Sequence, residues 1–76
     1  MITLFSTGCP KCKVLEKKLE NNNISYIKNN NIEEILSLGI EEVPIIKLEN
    51  GKLLNFITCN SLLNEKGKNA FNEVNL

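Results

Sequence analysis

The chain has 76 residues, and its nine lysines balance nine glutamates to give a formal net charge of zero. This length makes one domain, residues 1–76, large enough to fold alone but with little stability to spare. The balanced charge argues against a nucleic-acid binder, and the absence of Arg, Asp, His and Trp excludes a Cys-His nucleophile pair, a histidine metal ligand and a bidentate guanidinium clamp.

The N-terminus, Met1 to Phe5, has neither a basic start nor an apolar run of signal-peptide length, and no segment is long enough to span a membrane. A cytoplasmic location with no membrane partner is the expectation. In such a reducing compartment, three cysteines point to catalytic or metal-binding thiols and away from a structural disulfide framework.

In chain order, Ile2 to Phe5 is a short apolar run that reads as a buried strand. A helix follows from Cys9 or Pro10, since Pro suits the first helical turn. Val14, Leu15 and Leu19 give it an apolar face, Lys13, Glu16, Lys17 and Glu20 a solvated one, and Asn21 to Asn23 end it. Ile24 to Lys28 alternates like a second strand. Asn31 with Glu34 three residues on has the form of a capping box. Ile32, Ile35 and Leu36 have helical spacing, and Gly39 is a natural stop. Ile45 to Leu48 and Leu53 to Ile57 read as strands joined across Asn50-Gly51, a strong hairpin signal. A last helix begins near Thr58 to Ser61, with Leu62, Leu63, Ala70, Phe71 and Val74 on one face. Gly67 shares that face and either breaks the helix or allows close packing. The predicted order is β-α-β-α-β-β-α. The first three elements make a right-handed βαβ unit, and helices cover both faces of one four-stranded mixed sheet.

Cys9 and Cys12, in "STGCPKCK", fall where the first helix begins. Unpaired N–H groups and the helix dipole favour negative charge there, and Lys11 and Lys13 add positive charge nearby. Cys9 is thus the expected nucleophile, with a thiolate favoured by its position. Cys12, one turn further in, is suited to resolve a mixed disulfide formed on Cys9. Pro10 stiffens the turn between them. The plain alternative is two ordinary cysteines at a helix start. Cys59, read by itself, is a small half-buried residue near the last helix; its alternatives are a glutathionylation site or a second redox thiol.

These segments resemble the thioredoxin superfamily, and most closely its small glutaredoxin-like members. The resemblance rests on "LFSTGCPKCK", on "LGIEEVPIIKLENGKLL" and on the helix that closes the chain, and it spans nearly all of the sequence. It implies a thioredoxin-like fold and a monomeric dithiol-disulfide oxidoreductase that reduces protein disulfides through Cys9 and Cys12. It further implies that Gly8, Pro10, Lys11, Val43 and Pro44 line the substrate site; Cys59 and Asn60 are candidates for an accessory role only. The Val43-Pro44 bond is implied to be cis and to lie beside the cysteines, with Val43 offering backbone groups to a substrate strand. The implied activity needs no cofactor beyond the Cys9-Cys12 disulfide itself.

The chain departs from the family pattern at four places. Gly8 and Lys11 stand where an aromatic residue is common, and the first strand has no buried acid. Ser6 replaces a basic residue that helps bind glutathione. Ile57-Thr58 and Cys59-Asn60 replace a Gly-Gly turn and an Asp. Glutathione is therefore not favoured as reductant, and a flavoprotein disulfide reductase is the expected partner. The rival reading is a soft-metal carrier that binds copper or zinc through Cys9 and Cys12; Thr7 stands where that class usually has Met.

Overall fold

In the computed structural model, which describes residues 1–71, the strands are β1 (Ile2–Phe5), β2 (Tyr26–Asn29), β3 (Ile45–Lys47) and β4 (Leu53–Leu54). The helices are α1 (Pro10–Asn21), α2 (Ile32–Ser37) and α3 (Phe56–Lys66), with a 3-10 turn at Gly67–Asn69. The sheet order is β2-β1-β3-β4. β1 runs parallel to β2 and antiparallel to β3, and β3 is antiparallel to β4. The expected α/β order is observed, with one four-stranded mixed sheet. Among the described residues, no helix is long and apolar enough to cross a membrane.

Side-chain alternation divides the core in two. Ile2, Leu4, Ile46 and Leu54 face Leu15 and Leu19 of α1 and Cys59 and Leu63 of α3. Phe5 and Ile45 point the other way, onto Ile35 of α2 and Ile40. So α1 and α3 share one face, and α2 has the other. Because α2 has only six residues, Ile27, Leu38 and Leu53 are left about half exposed.

Hydrogen bonding of the helix ends sets where the elements stop. At the end of α1, Ile24 N–H donates to Leu19 O at 2.9 Å and Asn23 N–H to Glu20 O at 3.1 Å. Asn23 is the left-handed residue of this Schellman motif, with φ 56°. The same motif ends α2. There Ile40 N–H donates to Ile35 O, Gly39 N–H donates to Leu36 O, and Gly39 has φ 79°. Ile35 and Ile40 both lie in the core on the α2 face, the apolar contact that accompanies such a cap.

Several sequence expectations are corrected. Val14 is 43% exposed, and Cys12 takes its place on the buried face of α1. β2 begins at Tyr26 because Ile24 is spent on the helix cap. Asn31 does cap α2, accepting from Glu34 N–H at 3.2 Å. The Asn31 N–H, however, donates to Asn29 Oδ1 at 2.9 Å and not to Glu34, so the capping box is not reciprocal. Ile32 and Leu36 are exposed, and only Ile35 is buried. β4 stops at Leu54 and α3 starts at Phe56, because Asn55 Oδ1 accepts the Thr58 N–H at 2.9 Å. That N-cap pulls Phe56 and Ile57 out of the expected strand and into the helix. Gly67 ends α3, with φ 58°. Leu63 and Ala70 are buried, and Leu62 and Phe71 pack partly against the same core. Val74 lies outside the described residues.

Candidate functional site

Cys9 is the N-cap of α1, and its Sγ accepts the Cys12 N–H at 3.1 Å. The bond forms because Cys9 keeps extended backbone (φ −66°, ψ 164°) while Pro10 occupies the first helical turn. A sulfur in this position replaces the usual Ser, Asn or Asp oxygen and meets the positive end of the helix dipole. The first turn of α1 has no acidic residue to oppose a thiolate.

Cys12 has no exposed surface, whereas Cys9 is part-exposed. The two sulfurs are in disulfide contact, with Cα atoms 4.9 Å apart. Cys9 Sγ also lies 4.0 Å from the Val43 carbonyl oxygen. The Val43-Pro44 peptide bond is cis; Pro44 is buried and Val43 half-buried. Residues thirty-four positions apart thus meet where β1 passes into α1 and the Glu42–Pro44 loop passes into β3.

The loop before Cys9 is held from below. Ser6 is fully buried; its Oγ donates to Glu16 Oε2 at 3.0 Å and accepts the Gly8 N–H at 3.3 Å. Glu16 Oε1 is in turn 3.2 Å from Lys28 Nζ. This relay ties β2 and α1 to the Thr7–Gly8 turn, where Gly8 has φ 82°. By sequence, Ser6 stands out only as the absence of a basic residue. Its signal as an anchor was its small polar side chain directly after a buried strand.

Lys11 is exposed, and its Nζ stands 5.5 Å above the centre of the Phe56 ring, within cation–π range. Lys11, Glu42, Val43, Pro44, Asn55, Phe56 and Ile57 border a small cavity of about 100 Å³ next to Val43. Asn55 and Phe56 were missed as site residues because they read as strand; the Asn followed by an apolar pair was the available N-cap signal. Ile57 is 76% exposed.

The two accessory residues lie apart from this arrangement. Cys59 is fully buried in the core between sheet and α3, its Sγ 3.7 Å from Leu54 O. Burial pushes its thiol up to about 12. A glutathionylation site or a second redox thiol needs access that this position lacks. Asn60 accepts from Lys18 Nζ of α1, and Lys18 also donates to Asn64 at 2.8 Å, so its side chain is engaged two turns along α1 from Cys12.

No protein-family model, no curated protein and no solved structure matches the chain.

Proposed function

We propose that the chain is a dithiol-disulfide oxidoreductase of thioredoxin-like fold that reduces disulfides in proteins. The observation that carries this reading is the Cys12 N–H donated to the part-exposed Cys9 sulfur at a helix start, with Cys12 itself buried. One sulfur is presented and electrostatically favoured as thiolate. The other is placed to attack only after the first has reacted.

The reaction balances as follows. The Cys9 thiolate attacks one sulfur of a substrate disulfide. A Cys9-substrate disulfide forms, and the second substrate sulfur leaves as a thiolate and takes a proton. Cys12, whose proton passes to the departing substrate thiolate, then attacks Cys9 Sγ. The remaining substrate sulfur departs and is protonated, and the Cys9-Cys12 disulfide is left. Two electrons pass from the dithiol to the substrate. A flavoprotein disulfide reductase in the cytoplasm returns them. The carbonyl of Val43 beside Cys9 is positioned to pair with the backbone of the incoming chain.

Glutathione is disfavoured as the donor. Ser6 is turned inward and Asn60 is held by Lys18, so neither offers a charged contact to the tripeptide, and Ile57 crowds the remaining side. The test is catalytic turnover of a model protein disulfide with a flavoprotein reductase as electron source. Turnover should be lost in Cys9→Ser. Turnover that persists in that variant would refute the reading.

A further inference from the structure

Ile32 and Leu36 are aliphatic residues one helical turn apart on α2, yet they are 58% and 65% exposed. With Thr7, Val43, Glu41 and Glu42 they line an open groove of about 150 Å³. A cavity of about that volume accommodates a benzene-sized group. Contiguous exposed apolar surface rimmed by polar residues is a feature of interaction sites and binding grooves.

Two observations say what fits it. The groove adjoins the sulfur centre through two of its lining residues: Thr7 lies two residues before Cys9, and the Val43 carbonyl is 4.0 Å from Cys9 Sγ. A polypeptide whose sulfur reaches Cys9 can therefore lay the residues on one side of that sulfur along it. The groove side of the centre is also acidic. Residues 29–46 include Glu33, Glu34, Glu41 and Glu42 and no lysine, whereas Lys11 and Lys13 stand on the α1 side. In a chain of zero net charge, this separation of charge favours a basic neighbour on one side and repels an acidic one.

We propose that this groove is the specificity site of the Cys9 centre. It takes a large apolar side chain next to the target cysteine of a disulfide-bearing polypeptide, and Glu41 and Glu42 select a Lys or Arg beside that side chain. The proposal rests on the oxidoreductase reading above and names its substrate class.

The experiment uses four disulfide peptides that differ only in the two residues beside one cysteine: Leu-Lys, Leu-Glu, Ser-Lys and Ser-Glu. Second-order rates of reduction by the reduced protein are compared at low and moderate salt. The expected order puts Leu-Lys first and Ser-Glu last, about a hundredfold apart if each feature contributes about tenfold, a typical size for one apolar contact or one close charge pair. Leu36→Ser should collapse the Leu/Ser ratio, and Glu41→Gln with Glu42→Gln should collapse the Lys/Glu ratio. Salt should narrow only the second ratio. Equal rates for all four peptides would overturn the groove assignment and leave the oxidoreductase reading standing. No reduction of any peptide would overturn both. A dimer that Leu36→Ser converts to monomer in sedimentation would show that a second copy covers the groove, and would also overturn the assignment.

Discussion

Cys9 Sγ takes the hydrogen bond of the Cys12 amide, 3.1 Å away, so the more exposed sulfur is also the cap of the helix that carries its partner. Charge on that sulfur strengthens the cap, and the cap in turn favours the charge. The expected result is that Cys9 is alkylated at pH 6 markedly faster than a free thiol, whose pKa is about 8.5. Cys12→Ser is the suitable variant, since it keeps the donating backbone amide. A rate equal to that of a free thiol would remove the electrostatic argument.

On the proposed function, the more exposed Cys9 attacks first and the buried Cys12 second. Cys12→Ser should accumulate a mixed disulfide with a substrate protein, and Cys9→Ser should accumulate none. Non-reducing electrophoresis reads the outcome directly; the reverse pattern would exchange the roles of the two sulfurs.

Two caps set testable stability increments. Asn55→Ala removes the oxygen that accepts Thr58 N–H and should cost about 1 kcal/mol. Gly39→Ala meets no atom within 4 Å of an added Cβ. Its cost is therefore the backbone conformation alone, about 1–2 kcal/mol for a side chain at positive φ. Urea midpoints of the two variants check both values.

The Cys59 thiol, pushed up to about 12 by burial, makes a prediction for alkaline pH. In the unfolded chain it ionises near pH 8.5. Above that pH the unfolded state sheds a proton that the folded state keeps, so stability falls as pH rises, until the folded thiol also ionises near 12. Cys59→Ala should flatten the stability curve of the disulfide form between about pH 8.5 and 10. Tyr26, raised to about 12 by burial and by Glu20, adds its own loss only above about 10. An unchanged slope in Cys59→Ala would contradict this account of the core.

What the sequence conveyed was what local chemistry encodes. Pro10 after Cys9, Asn31 before α2 and Gly39 after it each mark a helix end by their own backbone preference, and the apolar run Ile2 to Phe5 reads as a buried strand. The errors arose where one residue had two uses. Ile24 reads as strand by alternation but serves as the apolar partner of a helix cap. Asn55 sits inside an apolar run that resembles a longer strand, and the cap won. Ile32, Leu36 and Val14 have core-like spacing, but a sheet with only four strands has too little surface to cover them. The Cys9 environment was legible from the motif. Its approach to Val43 was not contained in spacing and came only from the family resemblance.

Glutathione should be a poor donor. On the proposed function, neither Ser6 nor Asn60 offers the tripeptide a charged contact, and two such contacts, each worth about 1.5–3 kcal/mol, amount to two or more powers of ten in binding. With each donor supplied separately, a flavoprotein reductase should reduce the Cys9-Cys12 disulfide faster than glutathione does. Efficient turnover at physiological glutathione with glutathione reductase would contradict this.

The most direct measurement is a single turnover. The fully reduced protein is mixed with a model protein disulfide, once alone and once after loading with Cu(I) or Zn(II), and thiols and bound metal are counted afterwards. The account predicts that one substrate disulfide is reduced per chain, that Cys9 and Cys12 are recovered as a disulfide, that Cys59 stays reduced, and that the added metal slows the exchange. No exchange with the metal-free protein, together with one metal ion held tightly through Cys9 and Cys12, would contradict it and make the chain a metal carrier.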